Sequence, residues 1–403
     1  MSSGKICFVS IRYGEEVNGG AELHCRQLAE HMKRFYDHID VLTSRAKDYM
    51  TWRNEYPEGG EMLNGIRVIR FSAVHERDQA KFDEINLRLL QGLLRPEEER
   101  TWFELQGPYM PSMIQFLREH KDDYDAIIFM AYLYYPTVMG LPEVADRAIF
   151  LPLAHDEPFL RMQTYQRLFH LPCFFLYNTD EERRMVHYYF ENEEIPSELG
   201  GVGVDLPEVI DPDAFRKKYG IDDPFLLYIG RIDDYGKNCG TLFRYFQEYK
   251  RRKKGDLKLV LMGKAVMEIP DDPDIISLGF VTDEDKFNGL KAAEMLVLPS
   301  RFESLSMVVL EAMSVGTSVL VNGESPVLKA HCVKSNGALY YNGYLEFEGA
   351  VQYLLGHPEE VRILHENAHK YVHTNYMWDV ITDKLHHMIE AISGPSPTNQ
   401  KQE

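Results

Sequence analysis

"MLVLPSRFESLSMVVLEAMSVGTSVLV", residues 295–321, contains a complete strand–loop–helix–strand unit. "MLVLPS" is a short continuous apolar run, the pattern of a strand buried on both faces. "MVVLEAMSVG" has helical character and a glycine stop at Gly316, and "TSVLV" is the next buried-type strand. This order calls for a parallel sheet covered by helices. Arg301–Leu305 then form the loop at a strand's carboxyl end, where open α/β sheets bind ligands. Glu303 lies in that loop and Glu311 about one and a half turns into the helix. Ser304 or Ser306 can cap the helix. A helix N-terminus offers free N–H groups and partial positive charge, which suit a phosphate. Carboxylates on either side of such a phosphate would accept hydrogen bonds from hydroxyls, as a nucleotide sugar provides through its sugar and its ribose. The same two acids also read as a charge favouring the helix dipole and a solvated helix charge.

The alternation extends in both directions. "KICFVSI" (5–11), "HIDVLTS" (38–44), "GIRVIRF" (65–71), "YDAIIFM" (124–130), "RAIFLPL" (147–153) and "CFFLYN" (173–178) read as strands. A helix is expected from about Leu23 to Phe35, residues 48–64 read as polar turns, and 79–122 as mostly helical. Thr179 is expected to cap the helix in "TDEERRMVHYYF". A second set starts near residue 224 with the strands "PFLLYIG", "LKLVLMG" and "IISLGF". Between the sets, "ELGGVGVDLPEVIDP" (198–212) is rich in Gly and Pro and reads as a linker. Two doubly wound α/β domains are therefore expected, 1–203 and 204–377. They would leave a ligand cleft between the carboxyl ends of two sheets. The tail 394–403 reads as disordered.

At 403 residues the chain exceeds what one core usually supports. Its 44% hydrophobic and 27% charged residues are a soluble globular composition. A net charge of -19 repels nucleic acid and anionic membrane over most of the surface. Any phosphate site must be locally positive. The five cysteines show no C-x-x-C spacing, which points to a reduced cytoplasmic setting without a zinc ribbon. The N-terminus does not read as a signal peptide, and no stretch is long and apolar enough for a membrane helix.

Four further stretches carry possible chemistry. In "YIGRIDDYGKN" (228–238), Gly230 permits a tight exit from a strand, and Arg231 and Lys237 bracket an acidic turn. Two cations there could grip a diphosphate, or pair with Asp233 and Asp234 on the surface. In "NGGAE" (18–22), Gly19 and Gly20 let backbone approach a ligand or simply make a turn. Neither G-x-G-x-x-G nor a P-loop is present. His155, in "LPLAHDEP", sits past a strand where it could orient a hydroxyl, move a proton or serve structure alone. Lys250–Lys254, in "YKRRKKGDLK", either favour a helix C-terminus or touch a membrane surface peripherally. Trp52, Trp102, Tyr132, Tyr134 and Tyr135 are expected to pack a core.

Together these residues resemble glycosyltransferase family 4, the retaining transferases with the GT-B fold. "FESLSMVVLE" resembles its E-x7-E motif, "GRIDDYGK" its G-R-x…K element, "GGAE" its glycine loop and "GVGVD" (201–205) its interdomain stretch. The resemblance runs nearly end to end in the second half and in outline in the first. It implies a retaining hexosyl transfer from a nucleoside-diphosphate sugar, UDP-hexose favoured over GDP-mannose, to an acceptor hydroxyl. Arg231 and Lys237 would neutralise the donor diphosphate, Glu303 would hold donor sugar hydroxyls and Glu311 the ribose. The N–H groups of Ser306 and Met307, in the Ser304-Leu305-Ser306 turn, would meet the phosphates. Gly19 and Gly20 would contact phosphate or acceptor, His155 would lie near the sugar, and Gly279, Phe280 and Val281 near the base. No metal or cofactor is implied, and "WDVITDKLHHMIEAI" (378–392) would be the final helix, crossing back onto the first domain. A sugar-nucleotide epimerase or hydrolase, or a non-catalytic sensor, are the rival readings. Where many members carry glycine, this chain has Ser304 and Ser306.

Overall fold

The structure, a computed structural model, describes residues 2–17 and 19–393. Asn18 of the glycine loop and the tail 394–403, expected to be disordered, lie outside the described residues. The chain divides into two compact units: residues up to Val202 with the chain from Trp378 onward, and Gly203–Met377.

The first unit runs β1 (Ser2–Val9), α1 (Gly20–Met32), β2 (Tyr36–Ser44), β3 (Gly59–Leu63), β4 (Ile66–Phe71), α2 (Gln79–Leu90), α3 (Pro96–Gln106), α4 (Pro111–His120), β5 (Ala126–Met130), α5 (Tyr135–Gly140), β6 (Ala148–Leu151), α6 (Gln163–Leu168), β7 (Phe174–Tyr177), α7 (Asp180–Phe190) and β8 (Ser197–Leu199). Among the described residues the sheet order is β3-β4-β2-β1-β5-β6-β7-β8, parallel except for the β3–β4 pair. β5 is buried along its whole length, as a strand covered on both faces must be. β3 falls where only turns were expected. Its residues are largely exposed, so no apolar alternation marks it, and antiparallel pairing with β4 alone makes it a strand. Trp52, Trp102, Tyr132 and Tyr135 are buried in the core. The Trp52 indole donates to the Gln106 carbonyl at 2.7 Å, so these aromatics pack and brace loops. Thr179 caps α7, its hydroxyl accepting from the Glu182 N–H at 3.2 Å.

The second unit runs α8 (Pro212–Tyr219), β9 (Phe225–Ile229), α9 (Cys239–Arg252), β10 (Lys258–Met262), β11 (Ile275–Gly279), α10 (Asp283–Ala292), β12 (Met295–Leu298), α11 (Met307–Val315), β13 (Ser318–Asn322), α12 (Pro326–Ser335), β14 (Leu339–Tyr341), α13 (Tyr344–Gly356) and α14 (Pro358–Asn375). Its sheet is parallel, in the order β11-β10-β9-β12-β13-β14. The chain builds outward from β9 through β10 to β11. It then returns to the other side of β9 and builds outward again from β12. The topological switch point therefore lies between β9 and β12, and a doubly wound sheet opens its ligand crevice there.

α15 (Trp378–Ser393) belongs to the first unit. Ile381, Leu385, Met388 and Ile389 are buried along one stripe, at helical spacing. Trp378 stacks on His31 with ring centroids 4.2 Å apart, and Lys384 donates to the Leu199 carbonyl at 2.6 Å.

Candidate active site

Two loops flank the switch point of the second unit. The first leaves β9 through Gly230, whose N–H donates to the Met262 carbonyl at 2.9 Å. The neighbouring exit from β10 passes so close that a Cβ on Gly263 would stand 1.9 Å from the Gly230 carbonyl oxygen. Only glycine fits there, at φ +140. Asp233 then pins the turn. Its carboxylate accepts from the Gly236 and Lys237 N–H groups at 2.8 and 3.1 Å and from Arg231 Nε at 2.7 Å. Burial opposes its charge, but Arg231 and the two N–H groups outweigh burial and hold the carboxyl below its ordinary range.

Arg231 thus faces Asp233, as the surface-loop alternative anticipated, while Lys237 does not. Lys237 Nζ reaches across the switch point to Glu303 Oε1 at 2.6 Å, over 66 positions of sequence. Glu303 keeps only 10% of its side chain exposed and Lys237 28%. Backbone ties hold the two loops in register: Arg301 N–H donates to the Gly236 carbonyl at 3.0 Å. Asn238 and Asn322 both donate to the Pro299 carbonyl, at 3.3 and 3.1 Å.

The second loop feeds α11 through Ser306, which occupies the N-cap position. Ser306 does not supply the expected serine cap. Ser306 has left-handed backbone (φ 73, ψ 82), and its side chain makes no capping bond. Glu311, on the second turn of α11, is buried, and its Oε1 accepts from Lys286 Nζ at 2.7 Å. Burial pushes the Lys286 ammonium toward neutrality, but Glu311 and Asp283 reverse that and leave its pKa raised. Sequence reasoning missed Lys286. In "TDEDKFNGLK" it looks like one charge among several at a helix start.

The structure therefore brings Gly230, Arg231, Lys237, Glu303, Ser304, Leu305, Ser306, Met307 and Glu311 to one edge of one sheet. Gly279, Phe280 and Val281 follow β11 at the same edge, with Gly279 at φ +69 and Phe280 exposed. Gly19, Gly20 and His155 lie in the first unit instead, the glycines at the start of α1 and His155 past β6. Gly19 is the N-cap position of α1. Beneath it, Arg12 Nε donates to Glu22 Oε1 at 2.8 Å, and both side chains are buried. His155 Nε2 lies 3.8 Å from Glu157 Oε1, which accepts from the Tyr132 hydroxyl at 2.5 Å. The loop before His155 is held by buried Glu182, which accepts from the Ala154 N–H at 2.6 Å and the Asn178 N–H at 2.8 Å. Burial pushes the Glu182 carboxyl up to about 8, against the opposing pull of those N–H groups.

The basic run near residue 250 is matched by acids. Lys250 faces Asp274 at 3.0 Å, Arg251 faces Glu248 at 2.6 Å, and Arg252 and Lys253 face Glu348 at 2.6 and 3.7 Å. These pairs sit at the C-terminal end of α9, where cations favour the helix dipole. The five cysteines are free thiols. Among the described residues no helix is long and apolar enough to cross a membrane.

Comparison with known proteins agrees with this architecture. Over 96% of its length the chain superposes on sucrose-phosphate synthase from Thermosynechococcus elongatus, covering 99% of that chain, with a TM-score of 0.72 and 16% identity. It likewise superposes on HepE of Anabaena, solved in complex with UDP-glucose, with a TM-score of 0.68 at 14% identity, covering 96% of this chain and 100% of that one. The fold is GT-B, with two Rossmann-like parallel-sheet domains. Residues 211–371 match the family model for glycosyl transferases group 1. An uncharacterised glycosyltransferase of Methanocaldococcus jannaschii is 24% identical over 94% of this chain and 95% of its own length. The alpha-D-kanosaminyltransferase of Streptomyces kanamyceticus is 29% identical over 42% of this chain and 46% of its own. The chain is a glycosyltransferase by that domain and those relatives.

Proposed function

We propose that the protein is a retaining hexosyltransferase of the E-x7-E type. It takes a hexosyl unit from a nucleoside-diphosphate sugar and passes it to an acceptor hydroxyl. The observation that carries this reading is the Lys237–Glu303 pair at 2.6 Å, on the two loops that flank the switch point. A cation and a carboxylate held together there suit a diphosphate on one side and sugar hydroxyls on the other.

Arg231 and Lys237 take up charge on the diphosphate as the glycosidic bond breaks. Glu303, released in part from Lys237, accepts hydrogen bonds from the donor sugar. Glu311, steadied by Lys286, accepts from the ribose. The N–H groups of Ser306 and Met307 meet the phosphates. Exposed Phe280, with Gly279 and Val281, offers a face to the base. In the first unit Gly19, Gly20 and His155 keep the roles the resemblance implies. The leaving phosphate takes the proton of the incoming hydroxyl on the face it departs from, so the anomeric configuration is kept. UDP-hexose is the favoured donor, a preference supported by the UDP-glucose complex of HepE. Neither metal nor cofactor is assigned a role.

The test is turnover of purified protein with UDP-, GDP-, ADP- and dTDP-hexoses, with and without a panel of sugar and lipid acceptors, in EDTA. Acceptor-dependent release of nucleoside diphosphate, with an axial donor giving an axial product by NMR, is expected. Conversion of donor alone to an isomer, or an inverted product, would sink the proposal.

A further inference from the structure

We infer that the side-chain hydroxyl of Ser306 is itself a ligand group for the donor diphosphate. This rests on the second unit being the donor site, and it adds to that reading a contact the backbone does not supply.

Two observations on Ser306 carry it. The first is conformational. Three polar residues at other helix starts of the second unit behave ordinarily. Thr282 and Ser325 have extended backbone, and their hydroxyls accept from the Asp285 and Leu328 N–H groups. Asp211 caps α8 in the same way. Ser306 alone among these four has left-handed backbone, at φ 73 and ψ 82, and leaves its helix uncapped. A β-carbon disfavours that region, and serine is not among the residues that tolerate it readily. Such outliers persist where the surroundings impose them, and they gather at binding sites.

The second observation concerns the hydroxyl. Ser306 is 8% exposed, and among the described residues its Oγ has no hydrogen-bond partner. A buried hydroxyl without a partner is costly, so a partner is to be sought. The nearby carboxylates have cations already, Glu303 with Lys237 and Glu311 with Lys286. What the start of α11 calls for is an acceptor. A phosphate oxygen fits an uncapped helix N-terminus and an idle O–H donor together. Asn238, at the start of α9 on the facing loop, is also left-handed and also carries a buried amide oxygen without a partner. Left-handed backbone and an unmet buried polar atom thus coincide at both helix starts beside the switch point.

The experiment is calorimetric titration of wild type, Ser306→Ala and Ser306→Gly with UDP, GDP, ADP and dTDP and the matching nucleosides, alongside melting curves. Both variants are expected to bind the preferred diphosphate about tenfold more weakly, the worth of one hydrogen bond to a charged group. Nucleoside affinity should not change. Ser306→Gly should melt no lower than wild type, because glycine accepts this backbone freely, so weaker binding there cannot be blamed on misfolding. Unchanged diphosphate affinity in both variants overturns the role of the hydroxyl and leaves the donor site standing. A wild type that binds none of the four diphosphates overturns the donor reading itself, and this inference with it.

Discussion

Replacing Lys237 with alanine removes the cation from a contact of 2.6 Å and leaves Glu303 behind, its side chain only 10% exposed. Breaking a fully buried pair costs about 3–5 kcal/mol, because one charge is left unmatched. Lys237 is 28% exposed and water can partly replace it, so about 1–2 kcal/mol is expected here. For a unit the size of Gly203–Met377 that corresponds to a fall in Tm of roughly 2–8 °C. Turnover should suffer far more. If Lys237 neutralises the leaving diphosphate, its loss should lower kcat by about 10²–10³, the usual worth of one positioned electrostatic partner. The double variant Lys237→Ala/Glu303→Gln separates the two effects. It removes the unmatched carboxylate and should recover most of the lost stability, while kcat stays low. The assay is steady-state release of nucleoside diphosphate together with thermal melts of all three proteins. A Lys237→Ala enzyme within about fivefold of wild-type kcat, less than one such interaction supplies, would refute the leaving-group role.

Three further outcomes are expected. Lys286→Met strips Glu311 of its partly buried cation and should weaken nucleoside and nucleoside-diphosphate binding alike, by about tenfold in calorimetry, with kcat little changed. Gly263→Ala places a Cβ 1.9 Å from the Gly230 carbonyl oxygen at a left-handed φ, so it should cost about 3 kcal/mol or more in denaturant unfolding and abolish donor binding. The Glu182 carboxyl titrates at about 8 in the fold, above its ordinary 4.5. The stability linked to it is therefore complete below the lower value and lost as pH rises through the higher one. Melting curves between pH 5 and 9 should show wild type losing stability relative to Glu182→Gln across that window, and parallel curves would remove the shifted carboxyl.

The strands were legible because buried parallel strands are continuous apolar runs, and "FLLYI", "KLVLM" and "MLVL" need no alignment to be recognised. The loops between them were legible as sites because chain order placed each at a carboxyl end. What could not be read was strand adjacency. Lys237 meets Glu303 only because β12 pairs with β9, a return across the sheet that spacing along the chain does not announce. Lys286 meets Glu311 for a similar reason, α10 and α11 packing together over 25 positions. β3 escaped notice because its residues face water. The left-handed turn at Ser306 was invisible because serine does not signal it, and the same residue suggested an ordinary cap.

The most direct measurement is a crystal structure of the protein with its bound nucleoside-diphosphate sugar. The diphosphate should lie within hydrogen-bond distance of Lys237 Nζ and the Ser306 and Met307 N–H groups, with sugar hydroxyls on Glu303 and ribose hydroxyls on Glu311. A donor whose phosphates lie away from the β9–β12 switch point, with the Lys237–Glu303 pair undisturbed, would contradict the proposed site.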